Sequence, residues 1–191
     1  MSPQSQTGPG APDGGLAAAH ELLAAALVEI ERYVGASGWD QPSRLFALAP
    51  TARLLEAEPV LAGQLTVTAP DQLSSIEQDD FPPGQDVLAG LAAIAWPDTV
   101  AGCAVCTERS FLPAGVEDRI PDDPDEAAEF VAAHPAREDI RVVMGALRDG
   151  TTYGVARLAS HPDELLAGDG LVPALSGALV RTFEWEDTDQ S

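Results

Sequence analysis

The sequence predicts an α+β fold, in which helices pack against a mixed or antiparallel sheet of about four strands. Predicted helices and strands do not alternate strictly along the chain, as they would in a doubly wound parallel sheet. Asp149-Gly150 separates two apolar stretches, which is the pattern of a β-hairpin. The 191 residues, 45% of them hydrophobic, suffice for one domain with a sizeable core.

Both ends of the chain differ in composition from the rest. Residues 1–15 are rich in Pro, Gly, Ser and Gln and nearly free of apolar side chains, so we expect a disordered leader. Residues 184–191 are acidic, and we expect them to form a frayed C-terminal tail. No internal repeat or long linker divides residues 16–183, which we therefore expect to form a single α+β domain.

Four elements are predicted in the first half of the chain. Apolar residues recur every three or four positions along Leu16–Val34, which predicts a helix. Arg44–Ala49 follows as a short strand. Pro59 interrupts the helical pattern of Ala52–Leu65, so that helix either kinks or begins again there. Leu73–Asp79 fits either one helical turn or an extended segment, and both readings stay open.

Three helices and three strands are predicted in the second half. The helices are Val87–Ala95, one that begins after Asp123, and Leu171–Thr182; the strands are Val100–Leu112, Ile140–Arg148 and Thr151–Ala159. Asp123 provides an N-cap acceptor, with Pro124 at the first helical position and Glu126 three residues after the cap. The connection carrying this helix is long enough for the strands on either side of it to pair in parallel.

The hairpin turn sets the expected register of the last two strands. With Asp149-Gly150 as a two-residue turn, Arg148 pairs with Thr151. Arg148 and Arg157 then share one face of the sheet, and Arg141 lies on the other.

The charge of the chain excludes several classes of partner. The 31 acidic residues outnumber the ten basic residues, all of them arginine, and the formal net charge is −21. This excess of carboxylates repels nucleic acid and anionic lipid surfaces. No apolar run reaches the roughly 18–20 residues of a membrane-spanning helix, and no secretory signal is recognisable at the N-terminus. We therefore expect no nucleic-acid partner, no membrane partner and a location in the cytoplasm.

Cys103 and Cys106 form a C-x-x-C pair within a predicted strand. Residues three apart on a strand face opposite sides, with Cα atoms about 10 Å apart. A disulfide requires a Cα separation of less than about 7 Å. The three histidines show no zinc-binding spacing. We therefore expect two buried structural cysteines, no metal site and no cofactor.

Five arginines fall in or at the ends of predicted strands: Arg44, Arg109, Arg141, Arg148 and Arg157. Guanidinium groups that share a sheet face are suited to binding a carboxylate or phosphate ligand. With three acidic residues for each arginine, however, pairing with carboxylates that hold loops to the sheet is the favoured interpretation. Candidates for such pairs are Asp40, Glu77, Asp98, Glu108 and Asp139.

Several segments resemble a family of uncharacterised proteins from high-GC actinobacteria. They are Gly38–Leu48, Ile76–Pro82, Trp96–Gly102, Glu108-Arg109 and His134–Gly150. The resemblance implies no particular activity, but it marks eleven positions for testing. With Arg157, they make up the candidate ligand-binding residues: Trp39, Asp40, Arg44, Glu77, Trp96, Asp98, Glu108, Arg109, Arg141, Arg148, Asp149 and Arg157.

The leading functional hypothesis is a non-catalytic cytoplasmic binding protein, of an adaptor or chaperone-like kind, with a basic protein partner. The alternative is a small-molecule-binding protein or enzyme, in which strand arginines hold an anionic ligand and Glu77, Asp98 or Glu108 acts as acid or base. A third hypothesis is a homodimer that packs through the first helix.

Overall fold

The computed structural model describes residues 13–82, 86–116 and 119–184. Residues 1–12 of the expected leader (1–15) and residues 185–191 of the expected tail (184–191) lie outside these ranges. The first helix begins at Asp13, three positions before the start of its predicted apolar pattern.

In these ranges the chain forms five α-helices and six strands, which confirms the α+β class. The helices are α1 (Asp13–Gly35), α2 (Thr51–Ala57), α3 (Val87–Ala92), α4 (Pro124–Ala133) and α5 (Pro173–Arg181). The strands are β1 (Arg44–Pro50), β2 (Leu73–Glu77), β3 (Gly102–Phe111), β4 (Glu138–Leu147), β5 (Thr152–Leu158) and β6 (Leu166–Gly168). A 3₁₀ turn at Pro59–Gly63 follows α2, so the helical pattern begins again at Pro59.

The sheet is larger than the predicted four strands. Its order is β2-β1-β3-β4-β5-β6, and every neighbouring pair is antiparallel. The segment left open in the sequence is extended and forms the edge strand β2. The parallel pair allowed by the long connection does not occur, because Phe111 lies opposite Glu138 and the chain returns at the same end of the sheet.

Helices cover both faces of the sheet. On one face, α1 buries Leu23, Leu27 and Ile30 against alternate strand residues such as Phe46 and Val143. On the other face, α3 and α5 pack against the intervening strand residues. This alternation places two hydrophobic clusters on opposite sides of one sheet.

The two thiols lie on opposite faces, as predicted. Cys103 belongs to the cluster beneath α5, and Cys106 belongs to the cluster beneath α1. Both are free and buried, and burial raises the pKa of each thiol to about 12. The described residues contain no group of three or more His, Cys, Asp or Glu side chains placed to hold a metal ion.

The hairpin between β4 and β5 has a different register from the predicted one. Its loop has three residues, Arg148–Gly150, and Gly150 has a φ of +90°. A left-handed glycine in the third loop position closes a type I turn with a bulge, instead of the two-residue turn. The register shifts by one residue, so Arg141 lies opposite Arg157. The prediction that these two arginines lie on different faces is therefore wrong. The predicted pair of Arg148 with Thr151 is wrong too, since Leu147 binds Thr151 and Arg148 lies in the loop.

No helix among the described residues combines the length and the hydropathy that crossing a membrane requires.

Candidate functional site

A row of charged side chains crosses the sheet on the face covered by α1. Glu108 of β3, Arg141 of β4 and Arg157 of β5 are direct cross-strand neighbours. Glu31 of α1 lies above them and completes what we call the charge network. Its two carboxylates and two guanidinium groups carry no net charge.

Glu31 is the centre of the network. Arg157 binds it in a bidentate manner, with Nε and Nη2 each 2.8 Å from a carboxylate oxygen. Arg141 Nη1 lies 3.5 Å from Glu31 Oε1. The side chains of Glu31 and Arg141 are only 2% and 3% exposed. Burial raises the pKa of Glu31, but the hydrogen bonds and positive charges of Arg157 and Arg141 outweigh it, and the net pKa lies below the usual range.

Arg141 joins the network to the loop after α1. Its Nε and Nη2 lie 3.0 and 2.7 Å from Glu108 Oε1, and Nη2 also donates to the carbonyl oxygen of Gly38. The guanidinium carbon lies 4.5 Å from the centre of the Trp39 ring. These contacts engage the guanidinium group from several sides within the protein.

The loop formed by residues 38–42 is held against the end of β3. The backbone N–H of Gln41 donates to Glu108 Oε2 at 3.0 Å, and the Gln41 side chain donates to the carbonyl oxygen of Ser37. Asp40 has a φ of +62°, a conformation that Asp adopts more readily than most residues. The loop is therefore fixed by several polar contacts rather than by hydrophobic packing.

A cavity of about 450 Å³ opens between this loop and the end of β3. We call it the β3-edge pocket; its lining residues are Trp39, Asp40, Gln41, Pro42, Glu108, Arg109, Ser110 and Asp139. Ser110 Oγ donates to Asp139 Oδ1 at 2.6 Å, and Arg137 binds the same carboxylate through two nitrogens. The hydrogen bond from Arg137 holds the pKa of Asp139 below its usual range despite some burial.

The pocket lies where β3 extends past the start of β1. Arg44, the first residue of β1, lies opposite Cys106. The carbonyl oxygen of Leu48 accepts a hydrogen bond from the backbone of Ala101 and therefore points to the β3 side. Because backbone groups alternate in direction along a strand, Arg44 and Cys106 also direct theirs toward each other.

The same alternation fixes the direction of the next backbone groups of β3. Two and four residues after Cys106, the N–H and C=O groups of Glu108 and Ser110 point away from β4. Among the described residues, no strand occupies that side and no backbone hydrogen bond satisfies these groups. The β3-edge pocket thus contains a short open strand edge.

Arg44 and Arg109 lie near this end of the sheet but outside the charge network. Arg44 Nη1 is 3.5 Å from Glu77 Oε1, and Tyr33 donates to the other oxygen of Glu77 at 2.9 Å. Arg109 is exposed, and no described carboxylate forms a salt bridge with it.

The remaining candidates lie at the opposite end of the sheet. Arg148, in the hairpin loop, donates to the carbonyl oxygens of Val100 and Pro97 at 3.1 and 2.8 Å. Trp96 comes immediately before Pro97 in the chain, and its indole N–H donates to the hydroxyl of Thr182. Asp98 and Asp149 are exposed and flank the same region. The candidate residues therefore lie at two opposite ends of the sheet.

Sequence reasoning missed Glu31, Gln41 and Ser110. A signal for Glu31 existed, because it lies four residues after Leu27 on the apolar stripe of α1. A glutamate at a core-facing helical position requires a cationic partner. Gln41 and Ser110 have no comparable local signal, since their roles depend on where the loop meets β3.

Comparisons with curated proteins and with solved structures find no match for this chain. A family profile described as PPA1309-like protein matches residues 23–184. That range includes the charge network, the loop of residues 38–42 and all six strands. The chain therefore belongs to the family of PPA1309-like proteins.

Proposed function

We propose that this protein is a non-catalytic binding module that takes an extended segment of a basic partner protein as an additional strand beside β3. The observation that carries this proposal is the open edge at Glu108 and Ser110 inside the β3-edge pocket. Addition of a strand to a sheet edge is a common mode of peptide recognition.

The backbone geometry suits a short segment. Glu108 and Ser110 are two residues apart, so their outward groups repeat at about 6.6 Å, the period of an extended peptide. Each offers one N–H donor and one C=O acceptor to the incoming strand. The walls of the pocket are preorganised, because the charge network holds the loop of residues 38–42 in place.

The charge of the whole chain favours a basic segment. Asp40 and Arg109 both line the pocket, and no described residue forms a salt bridge with either, so their charges offset each other. The net charge of −21 attracts cationic partners over longer distances. Trp39 and Pro42 supply apolar surface for alternate side chains of the peptide.

The alternative of an anionic ligand held by strand arginines has less support. Arg141 and Arg157 direct their donors to Glu31, Glu108 and backbone carbonyl oxygens. An incoming anion would have to displace a buried carboxylate from them. Location in the cytoplasm and homodimer formation stay predictions.

Binding of extended pentapeptides tests the proposal. The probe is an array in which two alternating positions vary over all residue types, followed by titration of the retained peptides into ¹⁵N-labelled protein. We expect lysine- or arginine-containing peptides to be retained, and the amide resonances of Glu108 and Ser110 to shift most. Methylation of a peptide amide that pairs with β3 should remove binding.

A matched pair of variants at Ser110 isolates the backbone contribution. Ser110→Pro removes the outward N–H, and proline is tolerated at a strand edge that faces solvent. Ser110→Ala keeps this donor and loses only the hydroxyl contact to Asp139. We expect Ser110→Pro to lose binding and Ser110→Ala to keep it. Equal affinities of the two folded variants, or no peptide that shifts the two amides, would contradict strand addition.

A further inference from the structure

A second cavity, of about 640 Å³, runs along the first half of α1. We call it the α1 groove. Its apolar lining comes from α1, from the loop before β2 and from strand ends; Ala18, Leu22 and Ala25 of α1 form its floor. The cavity lies at the hairpin end of the sheet, remote in the topology from the β3-edge pocket.

One wall of the groove is a loop with a defined internal structure. The side-chain oxygen of Gln72 accepts hydrogen bonds from the backbone N–H and the hydroxyl of Thr68. The Gln72 side chain also donates to the carbonyl oxygen of Thr66, and its own backbone oxygen binds Thr51 N–H at 2.8 Å. The wall is therefore formed before any partner binds.

The floor permits close approach of another helix. Ala18, Leu22 and Ala25 follow helical spacing along the groove, and the small alanine side chains leave the backbone of α1 accessible. Leu73, the first residue of the edge strand β2, is the only β2 residue in the lining, and the two walls are formed by a helix and a loop. An amphipathic helix fits these walls better than an extended peptide.

The rim of the groove is acidic. Glu21, Glu29 and Asp71 lie on it, all exposed, and none forms a salt bridge with a described residue. The groove continues into a neighbouring cavity that shares Leu22, where Asp98 and Asp149 are balanced by Arg53 and Arg148, so the acidic rim is confined to the groove itself. A second copy of this chain would bring the same acidic rim against itself, and like charges oppose such contact.

We infer that the α1 groove is a docking site for an amphipathic basic helix of a partner protein. The apolar face of the helix lies on Ala18, Leu22 and Ala25, while its arginines or lysines reach the three rim carboxylates. This interaction surface is separate from the β3-edge pocket, so it does not depend on strand addition.

Fluorescence anisotropy with a defined probe tests this inference. The probe is a labelled peptide of about 18 residues, with leucines on one helical face and arginines on the other. Its first control has the same residues in scrambled order, which keeps the charge but destroys the apolar face. We expect the 191-residue chain to bind the amphipathic probe about tenfold or more tightly than the scrambled one.

Two alanine positions on α1 provide a matched pair for the floor. Ala25→Trp fills the groove, whereas Ala17→Trp places the same side chain on exposed α1 surface outside its lining. We expect Ala25→Trp to weaken binding about tenfold or more and Ala17→Trp to leave it unchanged. Both positions are exposed, so both variants should fold.

A second pair of variants tests whether the rim carboxylates, rather than the net negative charge of the whole chain, bind the probe. The combined change of Glu21, Glu29 and Asp71 to their amides should weaken binding more than the same change at Glu126, Glu129 and Glu164, which lie outside the groove. Both variants have the same net charge. Absence of probe binding, equal binding of the scrambled peptide, or equal effects within either matched pair would overturn the inference.

Discussion

At one end of the sheet, Arg141 and Arg157 hold two carboxylates; at the other, Arg148 binds neutral carbonyl oxygens. The first arrangement is buried and depends on Glu31, whereas Arg148 is exposed. Each arginine fastens a loop to the sheet, but the energetic consequences differ. Removing one partner of a buried ion pair leaves an uncompensated charge, while removing an exposed donor leaves carbonyl groups that water can reach.

The two proposed binding regions also lie at opposite ends of the sheet. Beside the charge network, polar contacts shape a pocket around an open strand edge. At the hairpin end, alanine and leucine side chains form an apolar groove with an acidic rim. One end of the sheet therefore carries a polar pocket beside an open strand edge, and the other carries an apolar groove with carboxylates on its rim.

Removing one arginine from each end gives the largest expected difference. Arg141→Met leaves Glu108 and part of the Glu31 charge without a buried partner, and we expect a loss of about 3–5 kcal/mol in the free energy of unfolding. Arg148→Met should cost only about 1 kcal/mol, because its hydrogen bonds are partly exposed. Urea unfolding at pH 7 measures both. Equal losses would remove the distinction between the two ends.

Acidification should remove part of the stabilisation provided by the charge network. The pKa of Glu31 in the folded protein lies below its ordinary value of 4.5. The unfolded chain therefore binds this proton at a higher pH, and the stabilisation is lost as pH falls below 4.5 through the folded pKa. We expect Glu31→Gln to be less stable at pH 7 and to lose less stability on acidification. Parallel stability–pH curves of the two proteins, measured by urea unfolding, would contradict this.

Close packing at the hairpin end predicts a smaller effect. A Cβ atom added to Gly102 would lie 2.8 Å from the backbone oxygen of Ala146, which has little freedom to move. We expect Gly102→Ala to reduce the free energy of unfolding by about 1–3 kcal/mol. Gly168→Ala is the control, since a Cβ there meets no atom within 4 Å. A thermal unfolding experiment that finds Gly102→Ala as stable as this control would refute the packing argument.

The hairpin turn itself predicts a loss of similar or smaller size. Gly150 has a φ of +90°, which an alanine adopts only with strain. We expect Gly150→Ala to cost about 1–2 kcal/mol in chemical unfolding. Gly150→Asn should cost less, because Asn tolerates positive φ better. If Gly150→Ala and Gly150→Asn lowered the free energy of unfolding equally, the result would count against the three-residue loop.

The last prediction concerns the two cysteines, which we expect to stay unlabelled by thiol reagents in the folded protein. Burial raises the pKa of Cys103 and Cys106 to about 12, so little thiolate forms at pH 8. We expect no rapid reaction of either thiol with a disulfide reagent in the native protein, and reaction of both in denaturant. Rapid labelling of one native thiol would show that its face of β3 is accessible.

Local patterns were sufficient to predict much of the fold. The capping residue Asp123 and the extended conformation around the two cysteines were predicted correctly, and of the two alternatives at Pro59 the structure shows the new helical start. Edge strands were harder to predict. β2 contains two serines and β6 has only three residues, so neither shows the apolar alternation that indicates a strand.

The candidate site was predicted only in part. The positions marked by family resemblance include four that line the β3-edge pocket: Trp39, Asp40, Glu108 and Arg109. The expected face of Arg141 was wrong, because Asp-Gly is compatible with both a two-residue and a three-residue hairpin loop. One residue of difference in the loop moves a side chain to the other face of the sheet.

Local spacing along a single helix or strand was enough to predict most of the helices, the strands β1, β3, β4 and β5, the alternation of buried residues and the separation of the two thiols. Two other features depend on contacts between residues far apart in the sequence. Glu31 meets two arginines more than one hundred residues away, and β3 extends past the start of β1 and leaves an open edge. Such contacts depend on strand register and on how α1 lies across the sheet, and neither is encoded by any short segment of the chain.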